Sequence, residues 1–219
     1  MSRRDQALRP PDTSAHDFTK FPRKTHRAGT AWFRQHNDRP ADVDRGAWYF
    51  ASHDAGDVGD GRFDLSDPDG SCYLATTKRG AANECIGPEY FERGWIDADL
   101  VAGRVLSELP LPHEVKAADM TSERASNFRV TNEVHSTGDY ATTQAWAQAL
   151  HDAGYDGVHY ELRFSTGSPR GLALFGPGGP PEPTWGGDPD PEDLRAYLEG
   201  EGIEIVDPPS MDAVTIVTP

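Results

Sequence analysis

The chain has 219 residues, of which 36% are hydrophobic, and its formal net charge at pH 7 is −15. This length suits one sizeable core, and 22 glycines and 18 prolines predict long loops around it. The acidic surplus argues against nucleic acid as a partner, because binding to phosphates needs an excess of lysine and arginine. Two cysteines, Cys72 and Cys85, are too few for a disulfide framework and match no zinc-binding pattern.

The N-terminal stretch is polar and carries two prolines within residues 1–20. It has little apolar surface to bury, so we expect a flexible arm there and the start of the fold at Phe21. The basic first residues are followed by no apolar segment, and no run in the chain is long enough to span a membrane. We therefore expect a cytoplasmic protein with no membrane contact.

The first half of the chain predicts three strands and one short helix. Aromatic and β-branched residues favour strands over residues 46–51 and 72–76, and alternation favours a third over residues 103–109. A helix over residues 77–86 is expected to stop at the Gly87-Pro88 pair.

The second half begins with the clearest helix, over residues 140–153. Asp139 is a good N-cap, apolar residues follow at helical spacing, and Gly154 stands where a left-handed C-cap is favoured. Core strands are expected over residues 157–160 and 171–175.

The C-terminal part is predicted to be an extension of the main domain. Residues 176–190 have the composition of a Gly/Pro linker. A last helix is expected with Asp190 as its cap and Pro191 at its first position, ending at Gly200. Terminal strands are expected over residues 203–206 and 214–217, so residues 178–219 form a linker plus a helix-and-strand extension.

A few polar and aromatic residues in the first half of the chain are candidates for chemistry. Taken singly, each has an ordinary explanation: a loop arginine is usually a surface charge, a strand tyrosine usually packs in a core, and a helical glutamate is usually solvated. The order and spacing of the group carry more information than any member does. The candidates are Arg27, Arg62, Tyr73 and Glu84, with His26 and Phe63 beside them.

Four short stretches occur in order: His26-Arg27-Ala28-Gly29, Gly61-Arg62-Phe63-Asp64, Cys72-Tyr73-Leu74-Ala75 and Ala81-Ala82-Asn83-Glu84. Eleven positions separate Arg62 from Tyr73, and eleven separate Tyr73 from Glu84. This pattern resembles the RES domain family, which is named for an arginine, a glutamate and a serine. Later segments at residues 154–160 and 172–175 resemble two strands of the same family.

The serine of that family has no clear counterpart in this chain. The alignment puts Leu162 at its position, and Ser165 follows three residues later. A divergent subgroup that manages without the serine, a different register, and an altered activity all remain open.

The resemblance implies an α+β fold with an ADP-ribosyltransferase-like split, mostly antiparallel sheet and flanking helices. Residues 21–177 would form the domain that binds and cleaves NAD at its nicotinamide–ribose bond. Phosphorolysis and hydrolysis remain alternatives, so inorganic phosphate is a candidate co-substrate, and no metal is implied. Family members are toxins that a helix-turn-helix antitoxin usually neutralises. The oligomeric state is open, with a homodimer among the alternatives.

The residue types suit this chemistry. A guanidinium binds a pyrophosphate through two parallel hydrogen bonds, which Arg27 or Arg62 can supply, with His26 and Phe63 beside them in the cofactor site. Tyr73 offers a ring face to the cationic nicotinamide. Glu84 would stabilise the positive charge that develops on the ribose. Two alternatives remain: an ADP-ribosyltransferase acting on a protein, and a catalytically silent module that binds a nucleotide or a partner.

Overall fold

An eight-stranded, mostly antiparallel sheet organises the chain in the computed structural model, which describes residues 7–38, 46–180 and 190–208. The strands are β1 Arg23–His26, β2 Ala31–Asn37, β3 Ser52–His53, β4 Leu65–Ser66, β5 Asp69–Ala75, β6 Ile96–Asp97, β7 Arg104–Pro110, β8 Val115–Asp119, β9 Gly157–Glu161, β10 Arg170–Pro177, β11 Glu192–Asp193 and β12 Ile205–Val206. The helices are α1 Lys78–Arg93, α2 Ala98–Val101, α3 Tyr140–Asp152 and α4 Leu194–Gly200, with short 3-10 turns at Phe18–Lys20, Glu123–Phe128 and Asn132–His135.

The main sheet is split near its middle. Its strand order is β1-β8-β9-β10-β5-β2-β7-β11, and only β8 and β9 run parallel. A single pair, Phe33 with Ala75, joins β2 to β5, whereas β2 pairs with β7 along its whole length. The two groups of strands therefore diverge on either side of this pair. The structure confirms the expected α+β fold and its mostly antiparallel sheet.

The two faces of the sheet carry different cores. Side chains alternate between faces along a strand, so neighbouring positions on β9 point in opposite directions. Val158 and Tyr160 belong to the larger core, with α1 and α3, whereas Leu172 and Trp32 belong to a smaller core on the other side. Across the described segments, no helix combines the length and apolarity that crossing a bilayer would require.

Helix α1 is longer than predicted. Thr77 caps it by accepting a hydrogen bond from the Gly80 N–H, and Gly94 ends it in a left-handed conformation. The predicted stop at Gly87-Pro88 is wrong. A proline removes a single backbone donor, and α1 continues through Pro88 to Arg93. Gly87 is needed for packing instead, because a Cβ there would lie 2.2 Å from the Phe164 ring.

Helix α3 confirms its prediction closely. The Asp139 side chain accepts from the Thr142 N–H, and Gly154 follows with a φ of 86°. Trp146 and Leu150 point into the larger core, as their spacing predicts. The expected strands around residues 72–76, 103–109, 157–160 and 171–175 are also present as β5, β7, β9 and β10. The expected strand over residues 46–51 shrinks to two isolated bridges at Phe50 and Ala51.

The C-terminal extension is built into the same sheet and core. Helix α4 begins at Leu194 with Asp193 as its cap, three residues later than predicted, because Glu192 and Asp193 pair with β7 as an edge strand. Leu194, Leu198 and Ile203 are buried in the larger core. The predicted strand over residues 203–206 is the short β12, which pairs with β6. The predicted linker falls mostly, and the strand over residues 214–217 wholly, outside the described residues.

The N-terminal segment differs from the expected flexible arm. Leu8 is only 1% exposed, and its backbone N–H donates to the Glu133 carboxylate over 2.7 Å. The Trp146 indole donates to the Arg9 carbonyl over 2.8 Å. Leu8 and the Arg9 carbonyl thus attach the N-terminal segment to α3 and to the 3-10 turn that precedes it. The composition of the segment alone does not predict these contacts.

Replacing Leu8 with alanine should lower the free energy of unfolding by about 2–4 kcal/mol, since the change leaves a cavity in the core. Urea denaturation followed by circular dichroism measures this. Val58→Ala is the control, because Val58 is 57% exposed and its loss should change little. Equal stabilities for wild type and Leu8→Ala would mean that the N-terminal segment does not dock as described.

Replacing Gly87 with alanine should destabilise the protein by about 1–3 kcal/mol, although alanine is the better helix former. The added methyl group would collide with the Phe164 ring. The double variant Gly87→Ala/Phe164→Ala tests the cause in a thermal or urea melt. The Gly87→Ala substitution should cost much less in the Phe164→Ala background, and an unchanged cost would contradict the packing explanation.

Candidate active site

A cleft of about 300 Å3 opens where β2 diverges from β5. Its walls come from both sides of the split, from the start of α3, and from the face of α1 that looks onto the sheet. Three of the predicted site residues, Arg62, Tyr73 and Glu84, line it together. Other lining residues are Phe33, Arg34, Gln35, Asp60, Gly61, Leu74, Ala75, Ala81, Cys85, Tyr140, Tyr160 and Leu162.

Arg62 is the least satisfied cation of the cleft. It is 7% exposed, and its Nε is buried without a hydrogen-bond acceptor among the described residues. Its backbone is fixed, since its carbonyl accepts from the Thr143 hydroxyl of α3 over 2.5 Å. A buried donor without an acceptor is costly, so the Nε of this side chain favours an anionic ligand at the cleft.

Glu84 faces the cleft from α1 and is held from one side only. Its Oε1 accepts the Phe164 N–H over 2.9 Å. Burial raises the pKa of Glu84, while the Phe164 N–H and the charge of Arg62 act in the opposite direction. The close packing of Phe164 against Gly87 fixes the donor, so the helix and the loop after β9 together orient this carboxylate.

Tyr73 connects β5 to the loop that carries Arg62. Its hydroxyl donates to Asp64 Oδ1 over 2.8 Å and accepts the Phe63 N–H over 2.7 Å. Asp64 also accepts the Gly61 N–H over 2.7 Å through its other oxygen. Burial, followed by the Asp64 charge, raises the pKa of the Tyr73 phenol well above its usual value. Tyr73 thus offers the cleft its ring, while its hydroxyl holds the Arg62 loop in place.

Several residues of the cleft were missed by the sequence analysis. Tyr140 at the start of α3, Tyr160 on β9 and Phe33 on β2 add aromatic surface. Burial raises the pKa of Tyr160, with the charge of Glu84 as a further cause. Tyr160 was seen only as part of a strand, because nothing in a linear pattern indicates which face of β9 meets the cleft.

Arg34 is a second guanidinium at the split, and it was also missed. It lines both the cleft and an adjoining cavity of about 390 Å3, which also contains Arg104. Its NH1 donates to the carbonyls of Ala47 and Tyr49, at 2.7 and 2.9 Å. No strand is predicted over residues 31–37, although an arginine beside Trp32 and Phe33 is a sign that could have drawn attention to it.

The other three predicted cofactor-binding residues are not among the residues that line the cleft. Arg27 is exposed in the connection between β1 and β2. His26 lines a different cavity, on the other face of the sheet. Phe63 is fully buried and packs against Tyr160, with a ring-centroid separation of 5.0 Å. All three lie in the stretches that resemble the family, but the direction of the strands and the alternation of side chains place them outside the cleft lining.

Leu162, at the position aligned with the family serine, gives the cleft an apolar side chain. Leu162 lines the cleft and packs against Gly80. Ser165 is not among the lining residues, and its hydroxyl accepts a long 3.4 Å hydrogen bond from Asn83. Neither residue brings a hydroxyl into the cleft.

Over residues 7–38, 46–180 and 190–208, no three His, Cys, Asp or Glu side chains are grouped to bind a metal ion.

The fold is similar to that of a solved bacterial protein. A chain of the crystal structure of the M. tuberculosis MbcT–MbcA toxin–antitoxin complex superposes with a TM-score of 0.54 at 16% sequence identity. The match covers 80% of this chain and 90% of that one. At this identity the likeness concerns the fold alone. No curated protein matches the sequence significantly.

The sequence itself matches a family model. The model of the RES domain matches residues 41–193, which is more than half of the chain and includes Arg62, Tyr73 and Glu84. This match confirms the family resemblance and includes three of the four stretches, while the first, residues 26–29, lies outside the matched residues. The chain belongs to the RES domain family.

Proposed function

We propose that this protein cleaves NAD at the bond between nicotinamide and ribose, with phosphate or water as the acceptor. The observation that carries the proposal is the convergence of Arg62 and Glu84 in one cleft, where the guanidinium Nε has no acceptor in the part of the chain that the structure describes. The family assignment and the fold support it.

Arg62 is proposed to bind the pyrophosphate of NAD. A planar guanidinium matches two phosphate oxygens at once, and a partly dehydrated site strengthens these charged hydrogen bonds. Since Arg62 is held through its backbone by Thr143, it would need little rearrangement to bind. Arg34 lies at the same split and lines both the cleft and the adjoining cavity.

Glu84 is proposed to stabilise the reacting ribose. Cleavage of the glycosidic bond builds positive charge on the sugar carbon and its ring oxygen, and a fixed carboxylate nearby lowers the energy of that state. The bond between nicotinamide nitrogen and ribose carbon breaks with its electron pair on nicotinamide, which leaves as a neutral molecule. Phosphate or water then forms the new bond to the same carbon, and in the case of water the attacking oxygen loses its proton to the solvent.

The aromatic walls are proposed to bind the nicotinamide. The ring of NAD is a flat cation, and the rings of Tyr73, Tyr140, Tyr160 and Phe33 around the cleft provide faces for it. The Tyr73 hydroxyl is engaged with Asp64. Its role in the proposal is therefore to present a ring and to fix the Arg62 loop, rather than to transfer a proton.

Two other functions of the same cleft are outcomes of the test below. Leu162 at the position of the family serine favours a module that binds the dinucleotide without turnover. Transfer of ADP-ribose to a protein uses the same bond cleavage with a different acceptor. The solved neighbour comes from a toxin–antitoxin complex, which supports the further proposal that this chain is a toxin with an antitoxin partner. A helix-turn-helix antitoxin is the class that the family resemblance implies.

Purified protein should release nicotinamide from NAD, measured by liquid chromatography with and without inorganic phosphate. Glu84→Gln should lower kcat by about 10²- to 10³-fold, as loss of one electrostatic stabiliser does. Arg62→Ala should raise KM by about tenfold or more. Glu92→Gln, an exposed glutamate on the same helix, is the matched control and should retain full activity.

The outcomes separate the alternatives. Wild-type rates in both Glu84→Gln and Arg62→Ala would refute the proposed site. Binding of NAD in calorimetry with no nicotinamide release would indicate the silent module. Labelled ADP-ribose appearing on a protein target, rather than in a small product, would indicate the transferase.

The rate should also depend on pH through Glu84. Burial raises its pKa above the usual value of 4.5, and the ionised form is the one that stabilises the ribose. Activity should therefore be lost as the pH falls through this raised pKa, so that kcat/KM declines at a higher pH than an ordinary glutamate would give. In Glu84→Gln, the residual kcat/KM should lack this acidic decline. A decline that persists unchanged in the variant would assign it to another group.

A further inference from the structure

The sheet carries a second cavity on the face opposite the cleft, and neither the cleft chemistry nor the family assignment accounts for it. Its volume is about 460 Å3. It is lined by Lys24, His26, Thr30, Ala31, Trp32, Thr76, Thr77, His159, Ser168, Pro169 and Arg170. We call it the opposite-face cavity.

Strand register places the two sites on different sides of the sheet. His159 pairs with Leu172, and Lys24 pairs with Ala117, and both partners belong to the smaller core. Paired residues share a face. Tyr160, the next residue on β9, lines the cleft. Strand β9 thus supplies one side chain to each site from opposite faces, whereas Arg34 and Leu74 reach the cleft from the smaller-core side at the split.

The charge of the opposite-face cavity is unlike that of the whole chain. The protein has a net charge of −15, yet Lys24 and Arg170 line this cavity and no carboxylate does. The nearest acidic groups lie outside the lining: Glu161 is 3.5 Å from Arg170, and the charge of Asp119 acts on His26 and His159. Two cationic side chains in one cavity of a strongly acidic protein indicate attraction for an anion.

Two buried side chains of the cavity have nitrogens without hydrogen-bond partners. Trp32 is 1% exposed and His159 is 2% exposed, and Trp32 Nε1 and His159 Nδ1 have no partner among the described residues. An indole nitrogen can only donate. Lys24 Nζ lies 3.3 Å from His159 Nε2, and an ammonium can only donate, so the imidazole proton belongs on Nδ1. Burial lowers the pKa of His159 to about 3, which keeps the ring neutral.

The cavity also borders the N-terminal end of α1. Thr77 is the N-cap of this 16-residue helix and lines the cavity together with Thr76. The N-terminus of a helix carries partial positive charge and favours anions. Arg170 is fixed beside it, because its NH1 donates to the carbonyls of Gly167 and Pro169 and its backbone N–H donates to the Thr76 hydroxyl.

We propose that the opposite-face cavity is a binding site for a small oxyanion, with a phosphate group as the ligand chemistry. Lys24 and Arg170 supply charge, the end of α1 adds its dipole, and Trp32 and His159 border the site with nitrogens that no described residue uses. Free phosphate and the phosphate of a nucleotide share this chemistry. The proposal does not depend on the proposed function of the cleft.

The test is a titration of 15N-labelled protein, followed by the indole N–H signal of Trp32, which Trp32→Phe assigns. Inorganic phosphate, AMP and acetate are added separately over the millimolar range. Phosphate or AMP should cause a saturable shift of this signal. The tighter of the two identifies the source, and weaker binding of acetate would show a preference for phosphate over carboxylate.

Variants make the titration decisive. Lys24→Gln should weaken binding about tenfold, the loss expected for one charge-assisted contact. Lys116→Gln is the matched control, because Lys116 is an exposed strand lysine between Val115 and Ala117 and therefore faces away from the smaller core. It should bind as wild type does. Arg62→Ala should also leave this binding unchanged, since the cleft is on the other face.

Three results would overturn the proposal. One is the absence of a saturable shift with phosphate and with AMP. A second is an equal affinity in Lys24→Gln and wild type. The third is loss of the shift in Arg62→Ala, which would trace the signal to the cleft. Loss of NAD cleavage alone, with the Trp32 titration intact, would count against the proposed function and leave this site standing.

Discussion

The single pair between Phe33 and Ala75 is the constraint on which the site depends. A continuous ladder between β2 and β5 would close the sheet, and side chains from the two strands would pack against each other. Because the strands separate after one pair, their backbones and side chains open into a cleft instead. Strong pairing on either side, β2 with β7 and β5 with β10, keeps the gap from collapsing.

The polar residues of the cleft are held in place by hydrogen bonds to residues around it. Thr143 holds the backbone of Arg62, the Phe164 N–H holds Glu84, and Asp64 holds the Tyr73 hydroxyl. These contacts join α3, the loop after β9 and the Arg62 loop around one space. A buried guanidinium and a carboxylate with a raised pKa are costly in a folded protein. Their retention together is the physical reason to assign a function to this cleft.

The main sheet borders two different cavities, the cleft and the opposite-face cavity. Alternation along β9 sends Tyr160 to the cleft and His159 to the opposite-face cavity. The acidic charge of the chain suppresses general affinity for anions, so the few places where cations collect are the places where an anion can bind selectively. The opposite-face cavity beside the N-terminal end of α1 is lined by Lys24 and Arg170 and by no carboxylate, whereas the cleft combines Arg34 and Arg62 with Asp60 and Glu84.

Local pattern determined much of the fold. Helix α3 and its two caps and the four main core strands follow from spacing and residue type, because helical periodicity and strand composition act over a few residues. The family was identified separately, by the resemblance of short stretches to the RES domain. Arg62, Tyr73 and Glu84 could be selected by their order and spacing. The length of α1, the docking of Leu8, the exclusion of Arg27, His26 and Phe63, and the roles of Arg34 and Tyr160 were decided only by tertiary structure. Each depends on which face of a strand or helix packs against a segment far away in the sequence. Local residue patterns do not specify such long-range contacts.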